Sequence, residues 1–160
     1  MNLNKAKVMR IVLIILSIVI LAFIWINSSL PASISKAISM AVQKILGIDY
    51  TQHLIRKTGH FTEFLFLGLS LFMLINLTVK QIKDRVFSLS FLTIFVPLTD
   101  ETIQLFSPGR SAEVGDIWID IGGFLLGCIA AAMFILIIKL ISNCRSNIRT
   151  LEKERTKYGE

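Results

Sequence analysis

The stretch PLTDETIQLFSPGRSAEVGDIWIDIGG, residues 97–123, lies between two strongly apolar runs, yet it holds five carboxylates, one arginine and one glutamine. Two helix ends and a turn account for it. SPGRS at 107–111 is turn chemistry, because Pro and Gly punctuate a helix. The flanks keep helical spacing. Asp100 and Gln104 are four apart and share a face, and Asp116, Asp120, Gly123 and Gly127 form a second stripe at i, i+4, i+7 and i+11. Upstream, 86–106 is one apolar run interrupted by Pro97, which lacks the N–H that would bond the carbonyl of Thr93. Downstream, 114–141 starts polar and becomes wholly apolar.

Working outward, the 160-residue chain repeats this pattern. It is 54% hydrophobic and 18% charged, where a soluble domain has about 45–50% and about 25%. Mean hydropathy is +0.70, and the charges cluster at the ends of apolar runs. Four runs, about 10–27, 59–79, 86–106 and 114–141, are long enough to cross a bilayer. The first follows Lys5, Lys7 and Arg10 and so resembles a secretory signal, but no clear A-x-A cleavage site follows it. It is expected to remain as a helix. Residues 33–46 differ. Ile34, Ile38, Ala41, Val42, Ile45 and Leu46 recur at helical spacing, with Ser35, Lys36, Ser39, Gln43 and Lys44 between them. Such a helix either lies in the membrane interface or caps the bundle as a packed element. The tail, 143–160, is charged and reads as a solvated helix or a disordered segment. The expected fold is all-α: a polytopic four-transmembrane-helix bundle, with an amphipathic helix between the first and second spans, forming one membrane domain over 1–160.

The net charge is +6. The basic residues flank the spans rather than forming a stripe, which excludes a nucleic-acid partner and fits anchoring beside anionic membrane lipids. Lys and Arg number three at the N-terminus, three in 80–85 and six in 139–160. The opposite side has five: Lys36, Lys44, Arg56, Lys57 and Arg110. That asymmetry predicts both termini in the cytoplasm. Cys128 and Cys144 lie about 24 Å apart at helical rise and read as free thiols.

This topology brings three polar helix ends to one side of the membrane. They carry Arg56, Lys57, His60 and Glu63; Asp100, Glu101 and Gln104; and Asp116 and Asp120. Short connections make the last three spans antiparallel neighbours, so the polar ends must meet. Glycines 123 and 127 admit a close neighbouring backbone. Glu63, Asp116 and Asp120 lie near helix N-termini, where negative charge is favoured. Asp100 and Glu101 lie toward a C-terminus and need a cation. Arg110, in the turn, is expected to pair with one of them, with bidentate geometry available.

These residues resemble a family. KTGHFTEF (57–64) followed by DETIQLFSPGRSAEVGDIWIDIGGFLLG (100–127) is similar to the VanZ-like membrane proteins. Their signature is K-x-x-H-F, then D-E-x-x-Q-x-F, an arginine in the next turn, and D-x-x-x-N-x-x-G. Lys57, His60 and Phe61 match its first part, and Asp100, Glu101, Gln104 and Phe106 its second. Arg110, Asp116, Gly123 and Gly127 match the rest. The similarity covers about residues 10–142. Asp120 departs from it, standing where the family often has asparagine. The resemblance implies a small multi-pass protein of the bacterial cell membrane, associated with low-level resistance to the glycopeptide teicoplanin and with no established reaction.

Three readings of the polar end follow. In the first, Arg56, Lys57, Gln104, Arg110, Asp116 and Asp120 bind a lipid, a lipid-linked cell-wall precursor or a lipoglycopeptide. In the second, a membrane-embedded hydrolase or transferase acts on a lipid-linked phosphate. His60 is then the general base, Glu63, Asp100 and Glu101 complete the catalytic set, and Arg110 and Lys57 stabilise the developing charge. In the third, the cluster only holds the helices in register. The chain has no G-x-S-x-G and no H-E-x-x-H, and one imidazole is a weak zinc signal; neither a metal nor a cofactor is expected. Ser111 reads as the cap of the last helix and Gly59 as a close-contact or helix-entry residue.

Overall fold

The computed structural model describes residues 3–47 and 51–158, with side chains at 4–45 and 51–152. It consists of five helices, with no strand among the described residues: α1 (Leu3–Ser29), α2 (Ala32–Leu46), α3 (Gln52–Thr78), α4 (Ile82–Leu105) and α5 (Val114–Tyr158). Four of them, α1, α3, α4 and α5, are long and apolar enough to cross a membrane. A helix satisfies every backbone donor and acceptor internally, which lipid requires. The helices extend beyond the apolar runs. α1 starts at Leu3 rather than near 10, and α3 at Gln52 rather than near 59. α5 continues to Tyr158, so the charged tail is helical as far as it is described. Polar flanking residues continue a helix readily once the apolar part has nucleated it.

Lipid-facing character is visible in what the bundle leaves uncovered. Ile11, Ile18 and Phe23 of α1, Phe91 of α4, and Met133 and Leu136 of α5 are all exposed. The inner core is small. Ile24, Phe64, Leu67, Val96 and Phe124 supply it, so each spanning helix contributes at least one side chain. α3 is central: it touches every other helix, and its longest shared face is with α5. Glycine explains that closeness. A methyl group at Gly68 would overlap the carbonyl oxygen of Phe124, one at Gly123 that of Phe61, and one at Gly127 that of Leu65. Glycines 123 and 127 therefore admit the neighbouring backbone as their spacing predicts, and Gly68 is the reciprocal notch on α3. Gly59 differs from both expectations: nothing lies within 4 Å of where its Cβ would be, so it makes no close contact, and α3 begins at Gln52, so it is not the helix entry. On the other side of α3, the Ser17 hydroxyl donates to that of Ser70 at 3.1 Å, a polar link between α1 and α3.

α2 rests on the bundle mainly through two serines. Its buried residues are Ser35 and Ser39, whereas Ile34, Ile38 and Ile45 point outward. Ala41 is exposed as well and Val42 is half-buried, so most of the apolar stripe faces away from the bundle, the arrangement an interfacial helix would have. The side chain of Leu46, the last residue of that stripe, lies outside the described set. The connection between α3 and α4 is fastened by Arg85. Its Nε donates to the Val79 carbonyl at 2.7 Å and its Nη1 to Asn76 Oδ1 at 2.9 Å, placing a cation at the C-terminus of α3.

Candidate functional site

The 106–113 turn is fixed against the start of the chain. Gly109 has φ +74°, a left-handed conformation that suits glycine. The Ser107 hydroxyl donates to the Ser28 carbonyl at 2.8 Å, and the Ala32 N–H donates to the Pro108 carbonyl at 3.0 Å. These bonds set the turn over the junction of α1 and α2, beside the start of α3. Helix α5 begins at Val114, which puts Glu113 rather than Ser111 at the capping position. Ser111 is exposed and is not the cap.

Inside this mouth, His60 of α3, Asp100 of α4 and Asp120 of α5 come together. His60 Nδ1 is 3.7 Å from Asp100 Oδ2 and 3.9 Å from Asp120 Oδ1. Asp100 and Asp120 are fully buried and His60 nearly so. Gln104 Nε2 donates to Asp100 Oδ2 at 2.9 Å, one helical turn away. Both oxygens of Asp120 are buried without a hydrogen bond, and Asp100 Oδ1 is buried with the Ser28 hydroxyl as a polar neighbour. An ionised carboxylate in a membrane span costs on the order of 3 kcal/mol without a partner, so this inner group is expensive as it stands. Asp120 is one of the two acids that create the cost.

Around it lies an outer ring. Lys57 Nζ meets Asp116 Oδ1 at 2.8 Å and Glu113 Oε2 at 3.6 Å. The Glu113 backbone N–H donates to Glu101 Oε1, which joins the end of α4 to the start of α5. Glu63 accepts from Asn27 Nδ2 at 2.9 Å, so it is held by α1 and not by His60. The expected pairing of Arg110 with Asp100 or Glu101 is not formed: among the described residues no ion pair joins them. Arg110 Nη2 donates instead to the Asn27 carbonyl at 3.2 Å, at the C-terminal end of α1, where the dipole favours a cation. Its Nε and Nη1 are shielded from solvent and have no acceptor. Burial, and then the repulsion of Arg56, push the Arg110 pKa below its ordinary value, although a guanidinium stays charged throughout the physiological range.

The family assignment rests on the whole membrane region. The VanZ/LLP1 family model matches residues 13–138, from within α1 to within α5. The chain belongs to the VanZ/LLP1 family. Neither a curated protein nor a solved structure matches it. With its four apolar helices, this VanZ-family chain is a multi-pass membrane protein.

All ten residues singled out in the sequence lie at this mouth of the VanZ-family bundle, in two groups. His60, Asp100, Gln104 and Asp120 are the inner one. Arg56, Lys57, Glu63, Glu101, Arg110 and Asp116 surround it, with Glu63 about one turn deeper in α3 than His60. Sequence reasoning missed Asn27, Ser28 and Glu113. Asn27 follows an apolar run and looks like a simple stop; its partner is 36 positions away, and no local spacing signals that.

Proposed function

We propose that this VanZ-family protein is an accessory protein of the bacterial cell envelope that binds an anionic amphiphile at the mouth described above. The ligand class is a lipid-linked cell-wall precursor or a lipidated glycopeptide of the teicoplanin type, and binding contributes to resistance. The observation carrying this reading is Arg110, a half-buried permanent cation with two N–H groups shielded from water and no protein acceptor. Unmade hydrogen bonds on a charged group are costly, and a phosphate or carboxylate oxygen would satisfy both. Arg56 stands close enough to Arg110 to offer an anion a second cation. The Lys and Arg asymmetry supports cytoplasmic termini, which turn this mouth outward, toward wall precursors and antibiotic.

The test is thermal unfolding of the full chain in detergent with a lipid-linked wall precursor, an anionic phospholipid or teicoplanin. A ligand at 100 times its Kd stabilises by about 2.7 kcal/mol. The wild type should gain that with one of the first or third, and Arg110→Gln should gain little. Cells carrying Arg110→Gln should lose teicoplanin protection while keeping the protein in the membrane. Equal stabilisation of wild type and variant, or none by any ligand, contradicts the proposal.

One observation favours a second reading, hydrolysis or transfer at a lipid-linked phosphate: His60 faces two carboxylates able to orient an imidazole base. It predicts turnover of a lipid-linked phosphate that His60→Gln abolishes. Saturable binding without turnover rejects it.

A further inference from the structure

Three helices deliver one imidazole nitrogen and two carboxylates to a single buried point. We infer that His60, Asp100 and Asp120 bind one divalent transition-metal ion, of the zinc or manganese class. The ligand atoms of these residues all lie within 4.8 Å of one another. His60 Nδ1 is 3.7 Å and 3.9 Å from the nearer oxygens of Asp100 and Asp120, beyond hydrogen-bonding distance. A point equidistant from three atoms so spaced lies about 2.1–2.5 Å from each, against about 2.0–2.2 Å for nitrogen and oxygen ligands of zinc. A contraction of a few tenths of an ångström closes the site. The mixed nitrogen and oxygen donor set favours a transition ion over calcium or magnesium, which prefer oxygen alone.

A separate observation points the same way. The Asp120 side chain is 1% exposed, with its Oδ1 turned toward His60 and neither oxygen hydrogen-bonded. Two buried carboxylates facing a neutral imidazole are balanced in charge by one dication. The wider mouth is also acid-rich: Glu63, Asp100, Glu101, Glu113, Asp116 and Asp120 stand against Arg56, Lys57 and Arg110. Gln104, donating to Asp100 Oδ2, is the kind of outer partner that orients a metal-bound carboxylate. Asp100 Oδ1 and the second Asp120 oxygen remain to complete the coordination or to hold a metal-bound water. The inference stands apart from the anionic ligand, because Arg110 takes no part in it.

The experiment uses the full chain in detergent, stripped with a chelator and then titrated with zinc, manganese, calcium or magnesium. Metal content, calorimetric stoichiometry and melting temperature are read. The expected result is one zinc or manganese ion per chain, with a raised melting temperature and calcium and magnesium at least 100-fold weaker. Asp120→Asn and His60→Gln should each weaken binding about 100-fold. Asp84→Asn, which removes an exposed carboxylate at the other end of α4, should bind as the wild type does. Asp120→Asn preserves shape, so a folded variant is available for comparison. Absence of binding by zinc and manganese in the folded wild type overturns the inference. So does binding that Asp120→Asn leaves intact, or an Asp120→Asn chain that melts as high as metal-saturated wild type, which would mean that protons neutralise the cluster.

Discussion

Replacing a single hydrogen by a methyl group tests the α3–α5 seam. In Gly68→Ala the new Cβ would overlap the Phe124 carbonyl oxygen and stand 2.9 Å from its carbon and 3.0 Å from Cα. In Gly127→Ala it would overlap the Leu65 carbonyl oxygen and stand 2.8 Å from the Leu69 nitrogen. Ordinary contact begins near 3.4 Å, and the obstructing atoms are backbone, which no rotamer change can move. The two helices must therefore part by roughly an ångström or more. Forced overpacking costs about 1–3 kcal/mol. Backbone overlap this severe belongs at the upper end of that range, about 2–3 kcal/mol; alanine returns up to about 1 kcal/mol of helix propensity, which leaves each variant about 1–3 kcal/mol less stable. Gly59→Ala is the matched control: the same helix and the same added methyl, with nothing within 4 Å to meet it. It should be neutral or up to about 1 kcal/mol more stable. Reversible unfolding in mixed micelles of rising SDS content measures all three. If Gly68→Ala or Gly127→Ala unfolds at the wild-type SDS fraction, or Gly59→Ala is the most damaged, the packing argument fails.

Other changes have equally definite outcomes. Lys57→Met leaves the largely buried Asp116 without its 2.8 Å partner and should cost about 1–3 kcal/mol in the same unfolding titration. A double-mutant cycle between Ser17→Ala and Ser70→Ala should give a coupling of about 0.6 kcal/mol, the usual size for interhelical bonds in membranes; a value of zero removes that bond. A fluorophore on Ile38→Cys should be quenched by brominated lipid, and one on Ser39→Cys should be shielded, since α2 turns its isoleucines outward and Ser35 and Ser39 in. The reverse pattern would show α2 packed by its apolar face.

The spans were legible because a bilayer imposes a length, and four runs met it. The meeting of polar ends was legible for a related reason: short loops between α3, α4 and α5 force antiparallel neighbours. Glycines 123 and 127 announced a close seam by their spacing, yet Gly68 did not, because its partner face is on another helix. Pairings within the cluster were the least readable. Arg110 looked destined for Asp100 or Glu101 from charge alone, but the turn fastened by Ser107 and Gly109 carries it to the end of α1. Glu63, three residues from His60 on the same helix, is drawn away by Asn27. The trio of His60, Asp100 and Asp120 has no linear spacing at all, because each member comes from a different helix. α2 was ambiguous because periodicity identifies an apolar face without saying whether protein or lipid covers it.

The central claim is that acids and a base from three helices share one buried point, and an interatomic distance tests it most directly. The chain has only two histidines, so His53→Gln leaves His60 as the sole imidazole. Rotational-echo solid-state NMR in lipid, with nitrogen-15 histidine and carboxyl-labelled aspartate, then reads His60 against its neighbours. The account predicts strong dephasing from two carboxylates, as oxygens 3.7 Å and 3.9 Å from Nδ1 require. Asp120→Asn with unlabelled asparagine should remove about half of it. No dephasing, with every carboxyl beyond roughly 6 Å, would contradict the account.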